Sequence, residues 1–189
     1  MSELKSVLAG LAMSLICTTP NAAAQAADNA AAATKAISAI EGVYKHRFTN
    51  ALISGEQFQS EDVIEIMSYS PDAIYFRIQL QFFNGHSCGI YGIAEYDKGS
   101  FVYTNHDDTS TEQACTLTIR HQNKWLNITD AVGADNSSSC RFCCGMRGSL
   151  KNYDISMTKK RSIKYLPLIK KSRQFRAAVD EFERKNGLR

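Results

Sequence analysis

Apolar and polar residues alternate along most of the middle of the chain. Ala73-Ile-Tyr-Phe-Arg-Ile-Gln-Leu-Gln-Phe-Phe83 sets Phe76, Ile78, Leu80 and Phe82 on one side of an extended strand and Arg77, Gln79 and Gln81 on the other. That period of two is the mark of a strand covering a core with one face. Asn84-Gly85 follows, a pair that tolerates positive φ and fits a type I′ hairpin turn into His86 to Ala94. Upstream, Glu41 to Phe48 and Asp62 to Ser68 read as strands. Downstream, Lys98-Gly99 is a turn before Phe101 to Tyr103, and Asn123-Lys124 separates Cys115 to Ile119 from Trp125 to Ile128. Short strands with turn signals at short intervals predict a mainly β fold of the α+β kind, an antiparallel sandwich or small barrel of lipocalin-like shape.

The period changes at the C-terminal end. Phe175, Ala178, Val179 and Phe182 recur at helical spacing and Gly187 follows, which predicts an amphipathic helix within residues 159–189. Its apolar face is expected to cap one end of the sheet, with Lys170, Lys171 and Arg173 on the solvated side as candidate binding residues. The alternative use of such a helix is contact with a membrane surface or a partner.

The N-terminal end reads differently. Residues 1–26 combine Lys5, an apolar run from Val7 to Ile16, Pro20 and a small-residue stretch with A-x-A sites ending at Ala24 and Ala26. This is the layout of a cleaved secretory signal peptide. The run is about half the length that spans a bilayer, and bulky Ile16 before Cys17 argues against a lipoprotein signal. The expected location is periplasmic or secreted. Residues 27–40 offer little but alanine to bury and read as a linker or frayed helix, leaving residues 41–158 as the β domain.

Composition adds one point, the distribution of charge. Residues 27–158 carry a net −5 and residues 159–189 a net +8. A basic tail of this kind docks on the acidic body or faces an anionic envelope component, and export makes nucleic acid the least expected partner.

Five cysteines follow the signal: Cys88, Cys115, Cys140, Cys143 and Cys144. Export favours disulfides over metal ligation, and spacing alone does not choose among the pairings. A Cys88–Cys115 bridge would enclose 28 residues, a closure the chain-entropy model values at about 3.5 kcal/mol. Cys140 with Cys144 would pin a five-residue loop.

Asn84-Gly-His-Ser-Cys88, Gly92-Ile-Ala94, Cys115-Thr-Leu-Thr-Ile119 and Cys140-Arg-Phe-Cys-Cys144-Gly-Met-Arg-Gly148 together resemble the β domain that follows lysozyme-inhibitor LprI-type modules in exported bacterial proteins. The likeness covers roughly residues 40–150. It implies pairing of Cys88 with Cys115 and of Cys140 with Cys144, leaving Cys143 as a free thiol where that pattern has an aromatic residue. The cysteine-rich module that gives the family its inhibitor name is absent, so inhibition does not carry over with it.

Catalytic signals are sparse. His86 lies two residues from Cys88, so a thiol and imidazole would share a strand face, but a bridged Cys88 removes the nucleophile. The other reading of His86 is a residue that closes the hairpin. Cys140, Cys143 and Cys144 with His86 lack the second spaced pair of a zinc site. No G-x-S-x-G, H-E-x-x-H or P-loop motif occurs; His46, His106 and His121 are scattered, and Asp107-Asp108 reads as a solvated turn. Arg141 and Arg147, beside glycines, are candidates for anion binding or for bonding loop carbonyls. Asn127 and Asn136 begin glycosylation sequons. The expected function is therefore a non-enzymatic binding or inhibitory domain, without cofactor or metal, acting on an envelope component or a protein such as a hydrolase. The alternatives are an envelope stress or structural protein at an anionic membrane, and a thiol enzyme using Cys143 or Cys88 with His86.

Overall fold

The computed structural model describes residues 22–105, 114–132 and 137–188. Helix α1 (Ala22–Ile40) leads into β1 (Gly42–Ala51), β2 (Gln57–Ser68), β3 (Ala73–Gln81), β4 (Ser87–Asp97), β5 (Ser100–Asn105), β6 (Cys115–Gln122) and β7 (Trp125–Thr129). A two-residue pair, β8 (Ala131–Val132) and β9 (Ser137–Ser138), precedes β10 (Tyr153–Ser156) and β11 (Lys160–Arg161). Helices α2 (Leu166–Lys171) and α3 (Arg173–Lys185) end the chain.

Strands β1 to β7 form one antiparallel meander, each pairing with the next, and β10 and β11 take the two outer edges of the nine-stranded sheet. Met157–Lys159 alone separate those two edge strands. A single strap therefore pairs with β7 through Tyr153–Ser156 and with β1 through Lys160–Arg161, drawing the sheet into a nearly closed barrel. Of the two shapes expected, barrel and sandwich, the barrel is the one adopted, which leaves few unpaired edges.

The alternation sorts as the pattern predicts. Ile74, Phe76, Ile78 and Leu80 of β3 point inward with Tyr44, Ile64, Ile66, Ile90, Phe101, Leu117, Leu126 and Ile128, and these residues fill the barrel. Asn84 and Gly85 take φ of 61° and 72°, the positive values a type I′ turn demands, and the His86 N–H donates to the Phe83 carbonyl.

Two segments differ from expectation. Residues 22–40 are a full helix that packs against β2, β3 and β6, with Ala33, Ile37 and Ile40 buried. Of the two alternatives, linker and helix, the helix is the one adopted, and it is docked on the barrel through these three residues rather than frayed. It begins before the expected processing sites at Ala24 and Ala26. The C-terminal region is two helices rather than one. Ser172 caps α3, its hydroxyl accepting from the Phe175 N–H at 3.1 Å. The helix α3 lies on the outer wall and not over an end: Phe175, Ala178, Val179 and Phe182 pack with Met67, Ala73, Tyr75 and Ile93. Tyr75 and Phe175 meet edge to face at 5.0 Å.

Candidate functional site

The antiparallel meander sends alternate turns to opposite ends of the barrel. Helix α1 and the turns at Pro71-Asp72 and Tyr96 to Lys98 share one end, where they line an open groove of about 640 Å³ with Ala26, Asn29, Ala30 and Ala33. The other end carries the β1–β2 turn, the Asn84-Gly85 turn and the loop after β9, residues 139–150. This second end is where the cysteines converge.

Their partners are exchanged relative to the pairing implied by resemblance. Cys88 bonds Cys144 and Cys115 bonds Cys140, with Cys143 free. The reason is sheet order. Cys88 lies on β4 and Cys115 on β6, with β5 between them, a separation of at least about 9–10 Å where a disulfide spans less than about 7 Å between Cα atoms. The 3-10 turn at Arg141–Cys143 instead aims Cys140 at one wall and Cys144 at the other.

The loop between those walls covers a split in the barrel. The β4–β5 ladder holds only three residue pairs, Glu95 with Val102 to Asp97 with Ser100, whereas β3 and β4 pair along nine. Above Glu95 the strands part. Residues 140–148 cross the gap: the Gly145 N–H donates to the Ser87 carbonyl at 2.8 Å, and Cys144 pairs with Cys88 as a β-bridge. Lower in the split, the Tyr103 ring lies where a side chain on Gly92 would be, and its hydroxyl donates to Glu181 of α3 at 3.0 Å. Cys88, Cys115, Cys140 and Leu150 are buried, so both bridges and Leu150 complete the core.

The loop is also held by polar contacts. Asp130, at 1% exposure, accepts from the Ser138 hydroxyl and from the Cys140 N–H at 3.2 Å through Oδ2. The Ser139 hydroxyl donates to the Thr116 carbonyl and accepts from the Thr116 N–H. Gly148 is required by proximity, since a Cβ there would stand 2.7 Å from Cys88 Sγ.

What this rigid end presents is apolar and basic. Ile53, Phe83, Phe142 and Met146 are exposed, Met146 at 86%. The Ile53 N–H donates to Asn84 Oδ1, and the Arg147 guanidinium stacks 5.4 Å from the Phe83 ring centroid, which makes the three loops one surface. His86 lies beside Gly145, and Arg141 is exposed on the same loop. Three of the six candidate binding residues, His86, Arg141 and Arg147, thus share the stapled end. Lys170, Lys171 and Arg173 are exposed on α2 and α3, a different face.

The thiol readings lose their chemistry here. Cys88 is bridged and so offers no nucleophile to His86. Cys143 is half-buried, and burial, aided by Asp130, pushes its thiol up to about 11, away from the thiolate that attacks. Cys140 and Cys144 are likewise spent in bridges, which dismantles the zinc-like set.

One polar constellation escaped sequence reading. Asp62, on the inner face of β2, accepts from the Gln81 N–H at 2.7 Å and from the Tyr153 hydroxyl at 2.8 Å, and His46 Nδ1 stands 3.7 Å away. The carboxylate ties β2 to β3 and to the closing strap. Alternation does place Asp62 in phase with Ile64 and Ile66, the one signal that would have found it. Of the remaining candidates, Asn127 is buried and donates to Asp154, which occupies the amide of that sequon; His106, Asp107, Asp108 and Asn136 lie outside the described residues.

Two disulfides fit a chain folding in an oxidising, non-cytoplasmic location, and no described helix is long and apolar enough to cross a membrane. No family model, curated protein or solved structure matches the chain.

Proposed function

We propose that this chain is an exported, periplasmic binding domain, without catalytic activity of its own, that engages a protein partner through the stapled end. The carrying observation is four large exposed apolar side chains: Phe142 and Met146 on the loop fixed by two disulfides beside Arg141 and Arg147, and Ile53 and Phe83 on the two turns packed against it. Aromatic residues, methionine and arginine are the types enriched at protein interfaces, and loops already ordered lose little entropy on binding. Exposing them to water serves no folding purpose, because the core beneath is completed by Leu150 and the cystines. A partner with an apolar pocket flanked by carboxylates complements this surface, and an envelope hydrolase is one kind of protein that offers such a cleft.

Photo-crosslinking in the producing cell tests the reading. A photoreactive phenylalanine analogue replaces Phe142 or Met146, and Gln59, exposed on the outer wall, serves as control. Discrete protein adducts are expected at the two loop positions and not at the control, and their identification names the partner. Equal labelling at all three positions, or none, overturns the proposal.

A further inference from the structure

We infer that the segment from Arg161 to Arg173 is a contact surface for an anionic lipid bilayer, separate from the stapled end. Residues 159–176 hold eight basic residues and no acidic one. Lys164, Lys170, Lys171 and Arg173 are exposed and make no ion pair among the described residues. Two leucines protrude at the centre of this patch, Leu166 at 37% and Leu168 at 69% exposure.

The patch is fixed in place rather than draped. Ile169 of α2 is buried against Met67, Ala73 and Tyr75, and the Tyr165 hydroxyl donates to Glu65 Oε1 at 3.0 Å. Arg77 Nε meets the other oxygen of that buried carboxylate at 2.6 Å. With Ile169 turned inward, one turn of helix leaves Leu168 turned outward, and Pro167 near the start of α2 sets the entry angle.

Helix α3, the element whose amphipathic pattern first pointed to a membrane, cannot insert while docked: Phe175, Val179 and Phe182 face the barrel. The small size of the apolar part of the α2 patch selects the occupant. Two exposed leucines fall far short of the roughly 1,000 Å² that a specific protein interface buries. They do suit a bilayer, where apolar side chains enter the acyl boundary and each nearby Lys or Arg gains about fivefold in affinity from anionic headgroups.

The experiment is sedimentation of the full chain with vesicles of phosphatidylglycerol and phosphatidylethanolamine, and with phosphatidylcholine vesicles. Binding to the first and not the second is expected, weakening as salt rises. Leu168→Asp is expected to reduce binding about tenfold or more without changing thermal stability, since that side chain is mostly exposed. Lys170→Glu with Lys171→Glu is expected to reduce it about twentyfold or more. Absence of binding to the anionic vesicles overturns the inference. So does a Leu168→Asp variant that binds as the parent does, because attraction of charge alone then accounts for the result.

Discussion

Single side chains carry the sharpest expectations. With the Cys143 thiol near 11, roughly one in a thousand is ionised at pH 8. Iodoacetamide is therefore expected to label the folded protein at least about a hundredfold more slowly than the denatured one, read by mass spectrometry of timed aliquots. Glu181 makes a different case. Burial raises its carboxyl above the ordinary glutamate range, only partly offset by the Tyr103 hydrogen bond. The folded state then holds this proton to higher pH than the unfolded chain does, so the contribution of Glu181 is favourable at low pH and is lost as pH rises through the raised value. Glu181→Gln keeps an acceptor for Tyr103 and removes the charge. It is expected to flatten the fall in melting temperature as pH rises from the ordinary glutamate range through the raised value, whereas Tyr103→Phe costs about 1 kcal/mol and leaves the half-buried carboxylate short of a donor.

Elements show what alternation conveys and what it does not. Strands β1 to β7 were legible where they bury one face, and β3 displays this through Phe76, Ile78 and Leu80. Helix α1 was legible only as one of two alternatives, and its docking was not, because its seat on the barrel rests on Ala33, Ile37 and Ile40, too few residues to register as a periodic face. Ile37→Ala tests that seat: if α1 completes the core, the change costs about 2–4 kcal/mol in denaturant unfolding, whereas a loose linker would lose almost nothing. The strap is held partly by Tyr153 and Asp62. Tyr153→Phe is expected to cost about 1–3 kcal/mol, because Asp62 stays buried with one donor fewer. Asp62 went unread as an anchor since a carboxylate inside a barrel contradicts the apolar inner face that the pattern otherwise predicts, and its partner lies 91 residues away.

At the level of the whole molecule, the cysteines separate local from global information. Which four would be oxidised and which would stay free was implied by the resemblance, but their partners depended on sheet order: β5 stands between Cys88 and Cys115, and the split above Glu95 must be spanned. No spacing in the sequence encodes that split. Non-reducing peptide mapping is expected to yield 88–144 and 115–140 linkages. Replacing the cysteines of either bridge with alanine is expected to cost about 3–4 kcal/mol if loop closure dominates, read from urea midpoints. The candidate site was half legible, in that His86, Arg141 and Arg147 come together while Ile53 and Phe83 join them only through turn packing. The closing strap carries a further consequence, in time rather than in space. Its contacts reach back across 113 residues, from Met157 to Tyr44, so the barrel cannot shut until nearly the whole chain is present. Were the chain to cross a membrane N-terminus first, both sheet edges would stay open until Arg161 had crossed. In that case the architecture would postpone the locked state to the far side, where oxidation of the cysteines could follow closure.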